Sequence, residues 1–232
     1  MKKYVIIIFF GWVNLHSQVS SGKIMYNILT ADIESDLRDA KSLLLNKLMV
    51  DNARSQFFIL EFDKNKSSFK KIAKLDLLTD REKIVDKIAS GFLTTSNNYF
   101  IDQNAKNYIL QTDEGILIRR PFVALDWNIL TESKMIDSYL CYKAVYNKKI
   151  INLKGKEKNI PVIAWFVPSL PYSYGPKEFY GLPGLILELE EGKTTFYATE
   201  ISLLELKKEI EFPQGKTITD EEYRKSIMTE KY

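Results

Sequence analysis

The sequence predicts an α+β fold: a curved antiparallel sheet, half-barrel-like, wrapping a long N-terminal helix. Two observations carry this. Many short apolar runs with period-two alternation follow one another, separated by Gly, Pro, Asn and Asp turn signals. One early stretch, Ile33–Val50, changes period: Ile33, Leu37, Ala40, Leu44 and Leu48 recur at three- and four-residue spacing, a single apolar stripe on a helix. A sheet must bury one face, and one buried helix inside one curved sheet satisfies both patterns. No repeat, low-complexity tract or clear linker interrupts residues 19–232, which predicts a single domain.

Lys23–Leu29 reads as the opening strand. Thr30 or Asp32 then caps the helix, and Leu43, Leu45 and Met49 widen its stripe, so the helix is expected to be well buried. Gln56–Phe62 and Ser67–Ile72 flank the polar turn Asp63-Lys64-Asn65-Lys66, the pattern of a hairpin. Thr79 and Glu82 have capping-box spacing ahead of Ile84 and Ile88, with Gly91 as the stop, so a short helix is expected near 80–90. Asn98–Ile101 and Asn107–Gln111 make a further hairpin around Gln103-Asn104-Ala105. Gly115–Leu125 carries Arg119-Arg120 before Pro121; the pair is a solvated strand end or, alternatively, an anion site. Trp127–Leu130, Ser138–Tyr146 and Ile160–Val167 continue the strands. Thr219 and Glu222 repeat the capping-box spacing and open a C-terminal helix to about Thr229.

The stretch Gly175–Leu189 organises the rest. Pro183 fixes its own φ and pushes Leu182 into extended backbone; Pro then Gly at the centre of a turn predicts type II geometry with positive φ at Gly184. Gly181 supplies a second pivot. Leu185, Leu187 and Leu189 then share one strand face, and Ile186, Glu188 and Glu190 the other. Glu191-Gly192-Lys193 turns the chain into a returning strand, Thr194–Ile201.

Gly181-Leu182-Pro183-Gly184-Leu185-Ile186 spells the hexapeptide of the GLPGLI family, exported proteins of diderm bacteria, and the chain resembles that family from roughly Trp127 to Ile201. Trp127, Tyr139, Cys141, Lys143 and Ala144 resemble its earlier strand pair; Ala164-Trp165, Gly175-Pro176 and Phe179 resemble its approach to the motif. The Lys-rich segment Asn147–Asn159 departs from it, standing where the family has a shorter turn with a Gly-Arg pair. The resemblance implies export and supplies no catalytic residue. The predicted layout also resembles, as a fold analogy alone, the half-barrel of periplasmic lipoprotein carriers.

Residues 1–18 have the form of a secretory signal peptide: Lys2 and Lys3, the apolar run Tyr4–Val13, then a short polar stretch ending at Gln18. The run is shorter than the roughly 20 residues that span a bilayer, and no Cys follows it for a lipid anchor. The expectation is therefore a periplasmic protein with no transmembrane anchor after cleavage. Loss of Lys2 and Lys3 leaves 31 basic against 30 acidic residues, a net +1, which indicates neither a basic grip on nucleic acid nor a polybasic membrane patch. Cys141 stands alone in an apolar run: a small buried hydrophobe or, alternatively, a reactive thiol.

The single histidine, His16, leaves with the signal, so histidine-based triads and metal sites are excluded from the exported chain. No glycine-rich phosphate loop occurs, and no cofactor, metal site or catalytic residue is assigned. Glu188, Glu190 and Glu191 adjoin a turn, where carboxylates are expected to be solvated. The segment Trp165–Tyr180 does stand out, with Trp165, Phe166, Tyr172, Tyr174, Phe179 and Tyr180 beside Pro168, Pro171 and Pro176. Such a stiff, donor-poor aromatic loop suits the rim of an apolar binding surface, or a cover over one end of its own sheet. The function expected is a non-enzymatic periplasmic envelope protein that binds an apolar small molecule, peptide or outer-membrane partner through its concave sheet and aromatic loop. The alternatives are a structural accessory of an outer-membrane assembly and a carboxylate-based hydrolase.

Overall fold

The structure is a computed structural model that describes residues 21–31, 39–73, 78–151, 157–204 and 209–229. The expected signal peptide, residues 1–18, lies outside them. In chain order the elements are β1 (Ser21–Thr30), α1 (Ala40–Arg54), β2 (Phe58–Asp63), β3 (Lys66–Lys71), α2 (Asp80–Phe92), β4 (Asn98–Asp102), β5 (Asn107–Gln111) and β6 (Leu117–Arg120). There follow β7 (Asn128–Ile136), β8 (Tyr139–Ile151), β9 (Glu157–Val167), β10 (Leu185–Glu191), β11 (Thr194–Leu204), β12 (Thr217–Thr219) and α3 (Asp220–Thr229). All these strands join one sheet in the order β12-β6-β5-β4-β3-β2-β1-β11-β10-β9-β8-β7. Every neighbouring pair is antiparallel except β12 with β6, so the sheet is mixed and open, with three helices beside it.

The alternation that predicted strands is what builds the interior. Phe58, Leu60 and Phe62 on β2 are fully buried, as are Ile24 and Tyr26 on β1 and Leu185, Leu187 and Leu189 on β10. One continuous core runs from Ile118 on β6 to Ala144 on β8, so the sheet curves around it. A smaller cluster on the other face, Phe100, Ile109 and Leu117, is covered by Phe212 of the C-terminal tail. The β2–β3 and β4–β5 hairpins form where their turn residues place them. So does the α2 capping box, in which the Thr79 backbone N–H donates to Glu82 at 2.8 Å. The same device opens α3, where the Thr219 N–H donates to Glu222 at 2.7 Å.

Two expectations are corrected. The first is the wrapped helix. Residues 33–38 of its predicted span lie outside the described residues, and α1 begins at Ala40, capped by Asp39 rather than by Thr30, which ends β1. Only Met49, Val50 and Ala53 of α1 are buried, all in its last two turns, while Leu43, Leu44 and Leu45 are exposed. The helix seats its C-terminal end against the sheet margin, where Arg54 Nη2 donates to the Thr30 carbonyl at 2.7 Å. Met49 and Ala53 at that end join the main core cluster.

The second correction concerns the hexapeptide. Gly184 does not adopt positive φ; Gly181 does, at 92°. The Gly184 N–H donates to the Leu182 carbonyl at 2.8 Å, closing a three-residue turn on Pro183 in place of a type II turn. Gly184 is needed for contact instead: a Cβ there would stand 2.2 Å from the Val167 carbonyl oxygen. Ile186, expected on the polar face, is fully buried beside Gly175. A register shift between Ile186 and Glu188 breaks the alternation there.

Candidate functional site

What fills the curve is the aromatic segment. Trp165 and Phe166 belong to β9, and from Pro168 the chain leaves the sheet and folds back over its concave face. Leu170, Tyr174, Phe179, Tyr180 and Leu182 are all buried. Of the six side chains expected at a binding rim, Phe166, Tyr174, Phe179 and Tyr180 are therefore core residues, and Trp165 and Tyr172 are half-buried. Tyr172 packs on Phe62 at 4.8 Å, Phe179 on Trp127 at 6.1 Å, and Tyr180 stacks on Phe122 at 4.9 Å.

The backbone of the loop meets its own needs. Tyr172 N–H donates to Leu170 O and Tyr174 N–H to Tyr172 O, at 2.7 and 2.9 Å. Leu185 and Ile186 return donors to Leu170 and Tyr174, each at 3.0 Å. Side chains then pin the loop to the sheet. Tyr26 Oη donates to the Ile186 carbonyl at 2.6 Å, Trp127 Nε1 to the Tyr180 carbonyl at 2.9 Å, and Tyr180 Oη to the Val123 carbonyl at 2.7 Å. Tyr174 Oη alone among these is buried with no hydrogen-bond partner.

Beside the loop a polar cleft of about 400 Å³ opens between the α2–β4 connection and the sheet. Thr94, Thr95, Ser96 and Asn97 form one wall, Tyr99, Tyr108 and Arg120 another, and Lys148, Lys177 and Glu178 the third. The charges are cross-linked. Lys148 Nζ lies 2.7 Å from Glu178 Oε1 and also pairs with Glu191, which in turn pairs with Lys177. Lys177 is a non-glycine residue at φ 57°, a conformation that costs about 1–3 kcal/mol and persists only where the surroundings impose it. Burial by itself would raise the Glu178 carboxyl, but Lys177 and Lys148 outweigh it and hold the group below its usual range. Burial would likewise lower both lysines, and the glutamates reverse that, so each ammonium is held above its usual range. The cluster thus pairs two lysines with two glutamates, Lys148 bridging Glu178 and Glu191 and Lys177 closing onto Glu191. Arg120 is matched in the same way by Asp220 at 2.8 Å.

The acidic residues near the β10–β11 turn do not all face solvent. Glu188 accepts two hydrogen bonds from Lys134, at 2.7 and 2.8 Å, and Glu191 sits in the cluster. Lys134 also lies 4.4 Å over the Trp165 ring. Cys141 is fully buried, its thiol pushed up to about 11, by desolvation first. Lys177, Glu178 and Lys148 were missed as a unit because they are far apart in sequence; only Lys177-Glu178 inside an aromatic segment gave a signal. A serine–lysine contact also occurs, Lys71 Nζ to Ser90 Oγ at 2.8 Å. Asp86 pairs with the same ammonium at 2.6 Å and Gln56 Nε2 donates to the same hydroxyl, so Lys71 is placed as a donor rather than a base.

A family model described as a protein of unknown function (Porph_ging) matches residues 152–188, a span that takes in β9, the aromatic loop and the start of β10. No curated protein matches. Among solved structures the chain is similar to PNGF-II in its P21 and C2 crystal forms, each with a TM-score of 0.56 and 13% identity over 90% of this chain. The chain spans about a third of the length of those solved chains, 33% in each case. The likeness is one of fold.

Proposed function

We propose that this chain is an exported, non-enzymatic binding protein of the cell envelope, of the GLPGLI type, with residues 1–18 as its signal peptide. Its ligand is a small polar molecule held in the cleft beside the aromatic loop. The observation that carries the reading is the set of charges Lys148, Lys177 and Glu178 on the cleft wall, cross-linked through Glu191. It is assembled from β8, the loop and β10, with a strained backbone at Lys177. Three charges brought together by distant segments, lining one cleft with Thr94 and Thr95, give a preformed set of donors and acceptors. The filled concave face favours a polar ligand over the apolar one expected from sequence.

Backbone amide NMR of the exported chain, titrated with panels of amino acids, monosaccharides and inorganic phosphate, tests this. At least one compound is expected to shift the amides of Thr95, Asn97 and Lys177 together, and Asn97→Leu, which narrows the cleft, to abolish that response. Shifts confined to other surfaces would refute the site. A second reading, a structural accessory of an outer-membrane assembly, is favoured by the apolar surface on α1 and α2, where Leu44, Ile84 and Phe92 are exposed.

A further inference from the structure

Two side chains on the cleft wall carry hydrogen-bond donors that no described residue uses. Tyr108 on β5 and Arg120 on β6 are register partners across an antiparallel pair, so they leave the sheet side by side, and both line the cleft. Arg120 is balanced in charge by Asp220, with Nε 2.8 Å from Oδ1. That contact lies off the N–H direction, and Nε is buried without a hydrogen bond. The ion pair therefore balances the guanidinium without fixing its direction, and the side chain remains 36% exposed. Tyr108 is only 6% exposed, and its hydroxyl has no hydrogen-bond partner among the described residues; Tyr99, by contrast, shares one with Thr95 at 2.9 Å. Desolvation first, then the charge of Glu178, holds the Tyr108 phenol well above its usual range, so the hydroxyl keeps its proton and stays a donor. Polar groups this far from solvent are nearly always paired, and two unpaired donors side by side in a cleft point to a missing acceptor.

The rest of the cleft decides which acceptor fits. Glu178 is the one acid among the lining residues, and Lys148 already holds its carboxylate at 2.7 Å. Arg120, Lys148 and Lys177 give the walls three cations. A guanidinium beside a phenol hydroxyl suits a group that only accepts and offers several oxygens, a carboxylate or a phosphate. An ammonium ligand would meet like charge there. Of the Arg119-Arg120 pair singled out in the sequence, strand alternation turns Arg119 to the opposite face, where it is exposed and paired in register with Ile109, so the anion reading falls to Arg120 alone.

Resting on the reading of this cleft as a ligand site, we propose that the ligand carries an oxyanion, carboxylate or phosphate, held by the Arg120 guanidinium and the Tyr108 hydroxyl. Asp220, which does not line the cleft, competes with it for the guanidinium. The competition gives the two partners of the ion pair opposite effects: loss of Arg120 weakens the anion, and loss of Asp220 strengthens it.

The test is amide NMR titration of the exported chain with glycerol, glycerate and glycerophosphate, which share a carbon skeleton and differ in the charged group. At least one of the two anions is expected to shift the amides of Thr95, Tyr108 and Arg120 together, with an affinity about ten-fold or more above that of glycerol. A response to one anion alone identifies the group as carboxylate or as phosphate. Arg120→Gln should weaken that anion about ten-fold and Tyr108→Phe about three-fold, Asp220→Asn should strengthen it, and Arg119→Gln on the opposite face should leave it unchanged. Circular dichroism checks that all forms are folded; Tyr108→Phe removes a hydroxyl with no partner, so it tests the site even where Arg120→Gln does not fold. The proposal is overturned by weakening of the anion in Arg120→Gln and Asp220→Asn alike, or by an affinity unchanged in both Arg120→Gln and Tyr108→Phe. An equal response to glycerol also overturns it, while leaving the cleft a binding site. Silence toward all three compounds overturns it as well, and a neutral compound from the wider panel that shifts Thr95, Asn97 and Lys177 then leaves the reading of the cleft standing.

Discussion

Replacing Gly184 with alanine is the sharpest test of how the hexapeptide works. The added methyl would stand 2.2 Å from the Val167 carbonyl oxygen, 2.6 Å from its carbon and 3.0 Å from the Pro168 nitrogen. These are backbone atoms, which cannot rotate away as a side-chain tip can. Relief requires β9 and the loop to separate by about 1 Å. That movement strains the hydrogen bonds from Leu185 to Leu170 and from Ile186 to Tyr174. Overpacking of a core costs about 1–3 kcal/mol, and a backbone obstacle places this change in the upper part, about 2–3 kcal/mol. For a domain of this size that is a fall of about 4–12 °C in Tm. Gly181 is the comparison. Its φ of 92° strains any side chain, but nothing lies within 4 Å of a Cβ there, so Gly181→Ala should cost about 1 kcal/mol. Thermal and urea unfolding of the two variants decide between close contact and backbone conformation. A Gly184→Ala protein within 2 °C of the parent, or one more stable than Gly181→Ala, would refute the contact argument.

Two tyrosines on the loop's interface make a matched pair. Tyr26→Phe strands the buried Ile186 carbonyl and should cost about 1–3 kcal/mol in urea unfolding, whereas Tyr174→Phe removes a hydroxyl with no partner and should leave stability unchanged or raised. Glu178→Gln leaves Lys148 short of a carboxylate and should cost up to about 3 kcal/mol at neutral pH, the low end for a broken pair because the side chain is 25% exposed. The pH dependence of that loss has a definite sign. The carboxyl is held below its usual value, so its stabilisation is complete above about pH 4.3 and disappears as pH falls through the lowered value; Glu178→Gln should therefore converge on the parent in acid unfolding, and a constant gap down to pH 2 would contradict the assignment. Cys141, buried with its thiol pushed up to about 11, should resist alkylation by iodoacetamide at pH 8 until the chain is unfolded; rapid modification of the native protein would show the site to be open.

Most strands and both capping boxes were legible because their signals are local. Alternation at Phe58, Leu60 and Phe62 and the Thr79 and Glu82 spacing each need only a few neighbouring residues to act. The charge cluster was not legible, since Lys148, Lys177 and Glu191 meet only once β8, the loop and β10 are in register. Gly184 was legible as an indispensable glycine and misread in its reason. Sequence shows that a Cβ is absent, and only the path of Val167 shows which atom takes its place.

The occupant of the sheet was misread for a physical reason that also explains the motif. A periodic apolar stripe and a Pro-rich aromatic segment compete for the same concave face, and periodicity favours the helix. Volume and backbone chemistry favour the loop. Tyr174, Phe179 and Tyr180 each bury far more surface than a leucine of α1, and the loop's amides donate into its own short turns while its Leu170 and Tyr174 carbonyls accept from the returning strand. A buried loop is rare because its polar backbone must be satisfied. Here the hexapeptide meets that demand: Gly181 donates to Ser173, Gly184 to Leu182, Leu185 to Leu170 and Ile186 to Tyr174. The six residues are thus the return path of an interior loop. They bring the chain back to the sheet with its amides bonded and leave the Lys177 and Glu178 side chains on the wall of the cleft.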